Sequence, residues 1–189
     1  MSLSAISLCS KALIKVGANG ISSFDENTAE AKVASQLYGM IRDGLLSSYP
    51  WRFATVQKTL NQLVDVPTAD FEYAFLLPTD LLRILSAGEG SRGRGLVYRI
   101  YEKTLQTNAR NVILTYISRP EEEAFPAFFD ELLVSKLASE FCLPLTESAS
   151  RSDFLNKQTE NLLSRAKLID AQQATSVGIE NFSLIGARG

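Results

Sequence analysis

The apolar period of this chain switches twice, and the switches divide it into three parts. Up to Ser48, apolar residues recur every three or four positions, the spacing of one helix face. Leu3, Ile6, Cys9, Leu13 and Val16 form one stripe, and Val33, Leu37, Ile41 and Leu45 a second. Between Trp51 and Ser118 the period drops toward two, the repeat of a strand. After Pro120 the helical period returns. Phe129, Leu133, Leu137 and Phe141 then share one stripe, and Leu155, Leu162, Ala166 and Ile169 another. The chain therefore reads as α+β: helix-helix, sheet, helix-helix. Residues 1–50 and 119–172 are expected to form one α-helical bundle from two N-terminal and two C-terminal helices. Residues 51–118 are expected to form an inserted antiparallel β-sheet, and 173–189 an extended C-terminal tail.

Local signals place the boundaries. Gly17 and Asn19-Gly20 tolerate the left-handed conformation that ends helices. Ser23 and Glu26 have capping-box spacing, with Asp25, Glu26 and Glu30 at the positive end of the helix dipole, so a second helix is predicted over 26–48. Pro50 disfavours helical geometry at Tyr49 and sets the stop. Pro126 suits a first helical turn, and Pro144 is expected to end the third helix. The short break there makes the last two helices antiparallel neighbours. In the middle, "WRFATVQKTLNQL", "FEYAFLLP", "LLRILSA", "GLVYRIYEKTLQT" and "NVILTYIS" read as strands joined by tight connections, which predicts an antiparallel sheet. The tail has no helical period but keeps Val177, Ile179, Phe182, Leu184 and Ile185. A segment this apolar needs a surface to cover it.

Composition narrows the chemistry. The 189 residues suit one domain, or one domain with a sizeable insert, and 46% hydrophobic with 21% charged is an ordinary globular balance. A net charge of −2 argues against a broad basic face for nucleic acid. There is no histidine, which removes Ser-His-Asp and Cys-His schemes and the commonest general base near neutral pH. The two cysteines, Cys9 and Cys142, cannot complete a zinc site without histidine. Both lie in apolar helical patterns as small buried hydrophobes, and a disulfide and a reduced pair both fit. No basic region precedes the first apolar stretch, so no signal peptide is expected, and no apolar run of 18 residues suggests a membrane span.

Four features invite a functional reading. Gly88, Gly90 and Gly93 spell G-x-G-x-x-G, and the Gly88–Gly95 loop is the basis for an alternative function as a small nucleotide-binding protein or enzyme. The pattern works only between a strand and a helix, whereas the following "RGLVYRIY" is strand-like, so a flexible hairpin loop accounts for it better. Arg92 and Arg94 in that loop suit contact with phosphates or with a partner's carboxylates, or simple solvation. Glu121, Glu122 and Glu123 point in different directions on a helix and serve its positive end. Tyrosines in "FEYAF" and "VYRIY" could stack on bases, but cross-strand packing explains them as well. Tyr49, Pro50, Trp51 and Phe53 remain. They form an aromatic cluster at the helix-to-sheet switch with no convergent polar groups, and read as a structural junction. The residues themselves therefore offer no catalytic set, no metal site and no cofactor.

The order of motifs resembles the tail tubular protein A family and related head-to-tail adaptors of tailed bacteriophages. It comprises a leading helix from Ala5 through Cys9 and Leu13 to Gly17, then "F-x-E-x-T-x-E-A" at Phe24–Ala31. "L-L-x-x-Y-P-W-R-F-A" follows at Leu45–Ala54, "L-P-x-D-x-L-R-I-L" at Leu77–Leu85 and "G-x-V-Y" at Gly95–Tyr98. "P-x-x-F-x-E-x-L-V-S-K-L-A" at Pro126–Ala138 completes it. The resemblance implies a structural virion protein and not an enzyme. It implies a homo-oligomeric, dodecameric ring between the portal protein and a downstream tail or nozzle protein. Double-stranded DNA would pass through its channel without sequence-specific binding, and packaging and ejection would use that channel. The implied location is the head-tail interface of the virion, after assembly in the host bacterial cytoplasm. It further implies that Ile179, Phe182, Leu184 and Ile185 anchor the tail on the portal or a neighbouring subunit, and that Arg92 and Arg94 reach another component. A mildly acidic chain suits a channel that must let DNA slide, since a basic one would hold phosphates.

Overall fold

The computed structural model describes residues 3–65, 67–90 and 93–173. Its order is α1 (Ala5–Val16), α2 (Ala29–Ser48), strands β1 (Thr55–Thr59), β2 (Tyr73–Leu76), β3 (Leu81–Gly88), β4 (Arg99–Tyr101), β5 (Thr104–Thr107) and β6 (Ile113–Ser118), then α3 (Ala127–Thr146) and α4 (Ala149–Ala171). The fold class is α+β.

Each helix end has a local cause. Ser4 caps α1 through its hydroxyl, which accepts from the Ser7 N–H at 3.2 Å. At the other end Gly17 turns left-handed, with φ 86°. Its N–H donates to the Ile14 carbonyl and that of Ala18 to Leu13, the paired bonds of a Schellman stop. The second helix starts at Ala29 and not at 26. Glu26 does accept the N–H groups of Ser22 and Ser23, but it closes a separate turn there, and Thr28 is the residue whose hydroxyl caps α2. Pro144 also departs from expectation, because α3 continues through it to Thr146. A proline in the last turn removes a single helical donor, and the chain stops where Glu147 turns left-handed at φ 52°.

The central helix is α3, whose burial extends around most of its circumference. Phe129, Leu132, Leu133, Leu137, Ala138, Phe141 and Cys142 all belong to one core with Leu8, Leu13, Ile41 and Leu46 from α1 and α2. Cys9 and Cys142 are buried, free thiols in that core. Ser135 meets Thr159, and Ser152 donates to the Ser139 carbonyl, so α4 runs antiparallel to α3. Lys15 from α1 adds its ammonium to Ser135 at 3.0 Å, and burial pulls that lysine below its ordinary pKa.

The middle of the chain is two antiparallel three-stranded sheets, ordered β1-β6-β3 and β2-β5-β4, and not one. The run "GLVYRIYEKTLQT" is a hairpin and not a single strand. Glu102 turns left-handed at φ 49°, and Thr104 Oγ1 closes the turn on the Tyr101 carbonyl. Neither Glu102 nor Lys103 is a turn-marking residue, so the alternating pattern ran straight through the turn. The two sheets share a small core of Leu60, Phe75, Ala87, Leu105, Val112, Leu114 and Tyr116.

The first sheet has apolar residues on both faces. On β6, Leu114 and Tyr116 face the second sheet, while Ile117 belongs to the bundle core. Strand β3 does the same with two register shifts, one between Leu81 and Arg83 and one between Ile84 and Ser86. These irregularities set Leu81, Ile84 and Ala87 against the insert core, and Leu82 and Leu85 against the bundle. The molecule is thus layered as sheet, sheet, bundle.

Candidate functional site

The sheet meets the bundle at residues 49–54. α2 stops at Ser48, and Tyr49 is extended with φ −140°, as a residue before proline prefers. Trp51 then turns into the bundle and is fully buried. Its indole N–H donates to the Leu45 carbonyl at 3.0 Å, one of the last four carbonyls of α2 that lack a helical donor. The ring lies edge-on to Tyr49 at 4.9 Å and to Phe129 at 5.4 Å. Phe53 contacts Phe129 at 4.8 Å and Phe125 at 6.1 Å. Tyr49, Trp51 and Phe53 therefore come together with the N-terminal turn of α3 in one aromatic plug.

Two polar connections hold this plug in place. Asp170, in the last turn of α4, is buried and accepts the Arg52 N–H at 3.0 and 3.3 Å. Arg52 Nε returns to the Asp170 carbonyl at 3.2 Å. Burial pushes the Asp170 carboxyl above its ordinary pKa, against the pull of Arg52. From the sheet side, Arg83 Nη1 donates to the Ser47 carbonyl at 2.7 Å, occupying another free carbonyl at the end of α2. Lys167 lies over the Tyr49 ring, 5.5 Å from its centre.

A charged network joins α2 to the segment that returns from the sheet. Tyr38 Oη donates to Glu122 at 2.8 Å, and Arg42 Nη1 reaches the same oxygen at 3.1 Å. Arg42 also bonds Asp43, which pairs in turn with Arg119. Burial raises Glu122, but the bonds from Tyr38 and Arg42 outweigh it and hold the carboxyl below its ordinary value. Tyr38 is driven well upward by its own burial and by donation to Glu122. Burial, with Glu122 nearby, pushes the Cys9 thiol up to about 12, so this cysteine is an inert thiol at neutral pH.

Of the other residues singled out, Arg94 is exposed on the β3–β4 connection. That connection joins strand to strand. The Ser86 hydroxyl ties it down by donating to the Gly93 carbonyl at 2.7 Å, and the loop feeds β4 and not a helix N-terminus. The strand-loop-helix geometry that cradles a phosphate is not built at Gly88, Gly90 and Gly93. Of the three consecutive glutamates, only Glu122 enters the charged network. Arg92 and the tail residues Ile179, Phe182, Leu184 and Ile185 lie outside the described residues. Among the described residues no three His, Cys, Asp or Glu side chains gather as a metal site, and no helix is long and apolar enough to cross a membrane.

Sequence reasoning missed Asp170, Arg83, Phe125 and Phe128. Asp170 stands 118 positions from its partner Arg52, so no local spacing exposes the pair. The phenylalanines could have been found, because "EAFPAFFDELL" carries three aromatics within five residues, as Tyr49–Phe53 does, where the helical period returns after the sheet.

Compared with known proteins, the chain matches no family model, and no curated protein matches it.

Proposed function

We propose that this protein is a structural head-to-tail adaptor of a tailed bacteriophage. It forms a homo-oligomeric ring between the portal and the tail components and extends the DNA channel. The observation that carries this reading is a convergence. Three of the segments that bear the family resemblance, Leu45–Ala54, Leu77–Leu85 and Pro126–Ala138, are far apart in the chain. Their distinctive residues meet at the junction: Trp51 on Phe129, Arg83 on the end of α2, and Leu82 against the bundle core. The joint suits a ring subunit, since it fixes the angle between the bundle, which would line the channel and dock to the portal, and the sheets, which would face the next tail component. The apolar residues Ile179, Phe182, Leu184 and Ile185 would anchor on the portal or a neighbouring subunit, with Arg92 and Arg94 reaching a further component. The chemistry is packing and assembly, and no reaction is assigned.

Size-exclusion chromatography with light scattering tests this, with and without the portal ring of the same virion. The adaptor reading expects a complex in which many copies of this chain elute with the portal. A chain that stays monomeric and leaves the portal peak unchanged would overturn it. Removing residues 176–189 should leave the helical circular dichroism intact and abolish stable docking.

A further inference from the structure

Strand β1, five residues long, leaves one side of its backbone open. Its partner is β6, paired in unbroken register from Thr55 opposite Ile117 to Thr59 opposite Ile113. The ladder continues with a bond from the Leu60 N–H to the Val112 carbonyl. In an antiparallel ladder only alternate residues bond the neighbouring strand. Val56 and Lys58 therefore bond β6, while Thr55, Gln57 and Thr59 turn their backbone groups outward. Thr55 agrees, because its N–H turns back to the Arg52 carbonyl. The N–H and C=O of Gln57 and Thr59 and the C=O of Thr55 meet no hydrogen-bonding partner among the described residues.

The other sheet edges are closed or short. β2 is bonded on its outer side, where the Leu76 N–H donates to the Asn61 carbonyl and the Leu63 N–H to that of Ala74. On β3 the Ala87 carbonyl accepts the Leu96 N–H. β4 has only three residues. Of the devices that guard an edge, β1 carries one, the charged Lys58, and it has neither a bulge nor a proline.

Beside this edge lies a pocket of about 610 Å³. Tyr49, Arg52 and Asp170 line it from the junction, and Thr55, Gln57 and Thr115 from the sheet. Thr55 and Gln57 stand opposite Ile117 and Thr115, so they share the bundle side of the sheet. A strand added along β1 would set alternate side chains on that side, at the rim of the pocket. Open backbone groups beside a pocket for alternate side chains are the two parts of strand addition.

The charge around the edge selects the strand. Arg52 Nε is held by the Asp170 carbonyl at 3.2 Å, and its two Nη groups bond no described residue. Lys58 stands on the other face of β1, opposite Leu114. Arg94 follows Gly93, which abuts Gln57 so closely that a Cβ there would lie 2.7 Å from Nε2. The acid of the pocket, Asp170, is buried with its carboxylate on the Arg52 N–H. Both faces of the edge therefore present a cation, and a second copy adding its own β1 would bring the same charges to it.

We infer that β1 is a docking edge for an extended segment of another protein that carries carboxylates at alternate positions. The backbone of that segment pairs with Gln57 and Thr59. Its carboxylates meet Arg52 on the bundle side or Lys58 on the other. This inference goes beyond the adaptor reading and does not depend on it.

A fluorescent Glu-Thr-Glu-Thr-Glu-Thr peptide, capped at both ends and added to the full-length chain, tests it. Anisotropy should show saturable binding, about tenfold tighter than that of the matching Lys-Thr peptide. Hydrogen exchange read by NMR should slow at the Gln57 and Thr59 N–H groups and stay unchanged at Val56 and Lys58, which already bond β6. Gln57→Pro removes one outward donor at a position where an edge strand tolerates proline, and should weaken binding about tenfold, the factor for one hydrogen bond. Circular dichroism reports whether that variant is folded. A Glu-Thr peptide N-methylated on every residue keeps the charge, lacks the donors and should not bind, a result that needs no variant. No saturable binding at millimolar peptide, equal binding of the Lys-Thr or the N-methylated peptide, unchanged exchange at Gln57 and Thr59, or undiminished binding by folded Gln57→Pro would each overturn the inference.

Discussion

Replacing Trp51 with alanine should remove a large share of the stability of this protein. The ring is fully buried, so truncation leaves a cavity against Tyr49, Phe53, Phe128 and Phe129. Aromatic-to-alanine changes in cores cost about 3–5 kcal/mol. Two terms set the position within that range. The edge-on contacts with Tyr49 and Phe129 add about 0.5–1.5 kcal/mol beyond buried area and push it upward. The lost indole bond adds little, because Ser48 Oγ also donates to the Leu45 carbonyl, at 2.7 Å. The expected loss is therefore about 4–5 kcal/mol, against a total of about 5–15 kcal/mol for a typical protein. Urea unfolding followed by far-ultraviolet circular dichroism measures it, since the variant has no tryptophan to report by fluorescence. With an m-value of about 2 kcal/mol per molar, the midpoint should fall by about 2 M. Trp51→Phe keeps one aromatic ring in the plug but leaves the space of the missing indole atoms unfilled, and should cost about 1–2 kcal/mol. A Trp51→Ala loss below about 1 kcal/mol would refute the reasoning, because it would mean that the plug carries no packing energy.

Two further outcomes follow from the polar connections. Asp170→Ala leaves the part-buried Arg52 N–H without its carboxylate acceptor and should cost about 1–2 kcal/mol by the same urea assay. Because the folded Asp170 carboxyl sits above its ordinary 3.8, its contribution to stability declines as pH rises from that value, and Asp170→Asn should flatten this part of the pH profile. Glu122 has the opposite sign. Its folded pKa lies below the ordinary 4.5, so its contribution is complete above that pH and is lost as pH falls through the depressed value. Tyr38→Phe removes one donor that holds Glu122 down, and should cost about 1–2 kcal/mol at neutral pH and shift acid unfolding to higher pH, followed by circular dichroism.

The helices were legible because their signals are local. Gly17 and Pro50 act on their own backbone, and Phe129, Leu133, Leu137 and Phe141, the stripe read from spacing, are all fully buried in α3. The start of α2 was misread because Glu26 has two uses, and only the packing of the turn decides that Thr28 takes the cap. The sheets were misread for two reasons. A hairpin at Glu102 carries no glycine or asparagine to mark it, and register shifts in β3 hide which face each leucine takes. The junction residues themselves were visible as a run of aromatics at a helix stop. Their partners Asp170 and Arg83 were not, because hydrogen bonds to backbone groups made across 118 and 36 positions leave no trace in spacing.

The adaptor reading is tested most directly by electron microscopy of the purified chain mixed with the portal ring of its own virion. The expected image is a second ring of density coaxial with the portal, repeated around the axis and with an open channel through both. Portal rings that remain bare while this chain stays dispersed as single subunits would contradict it.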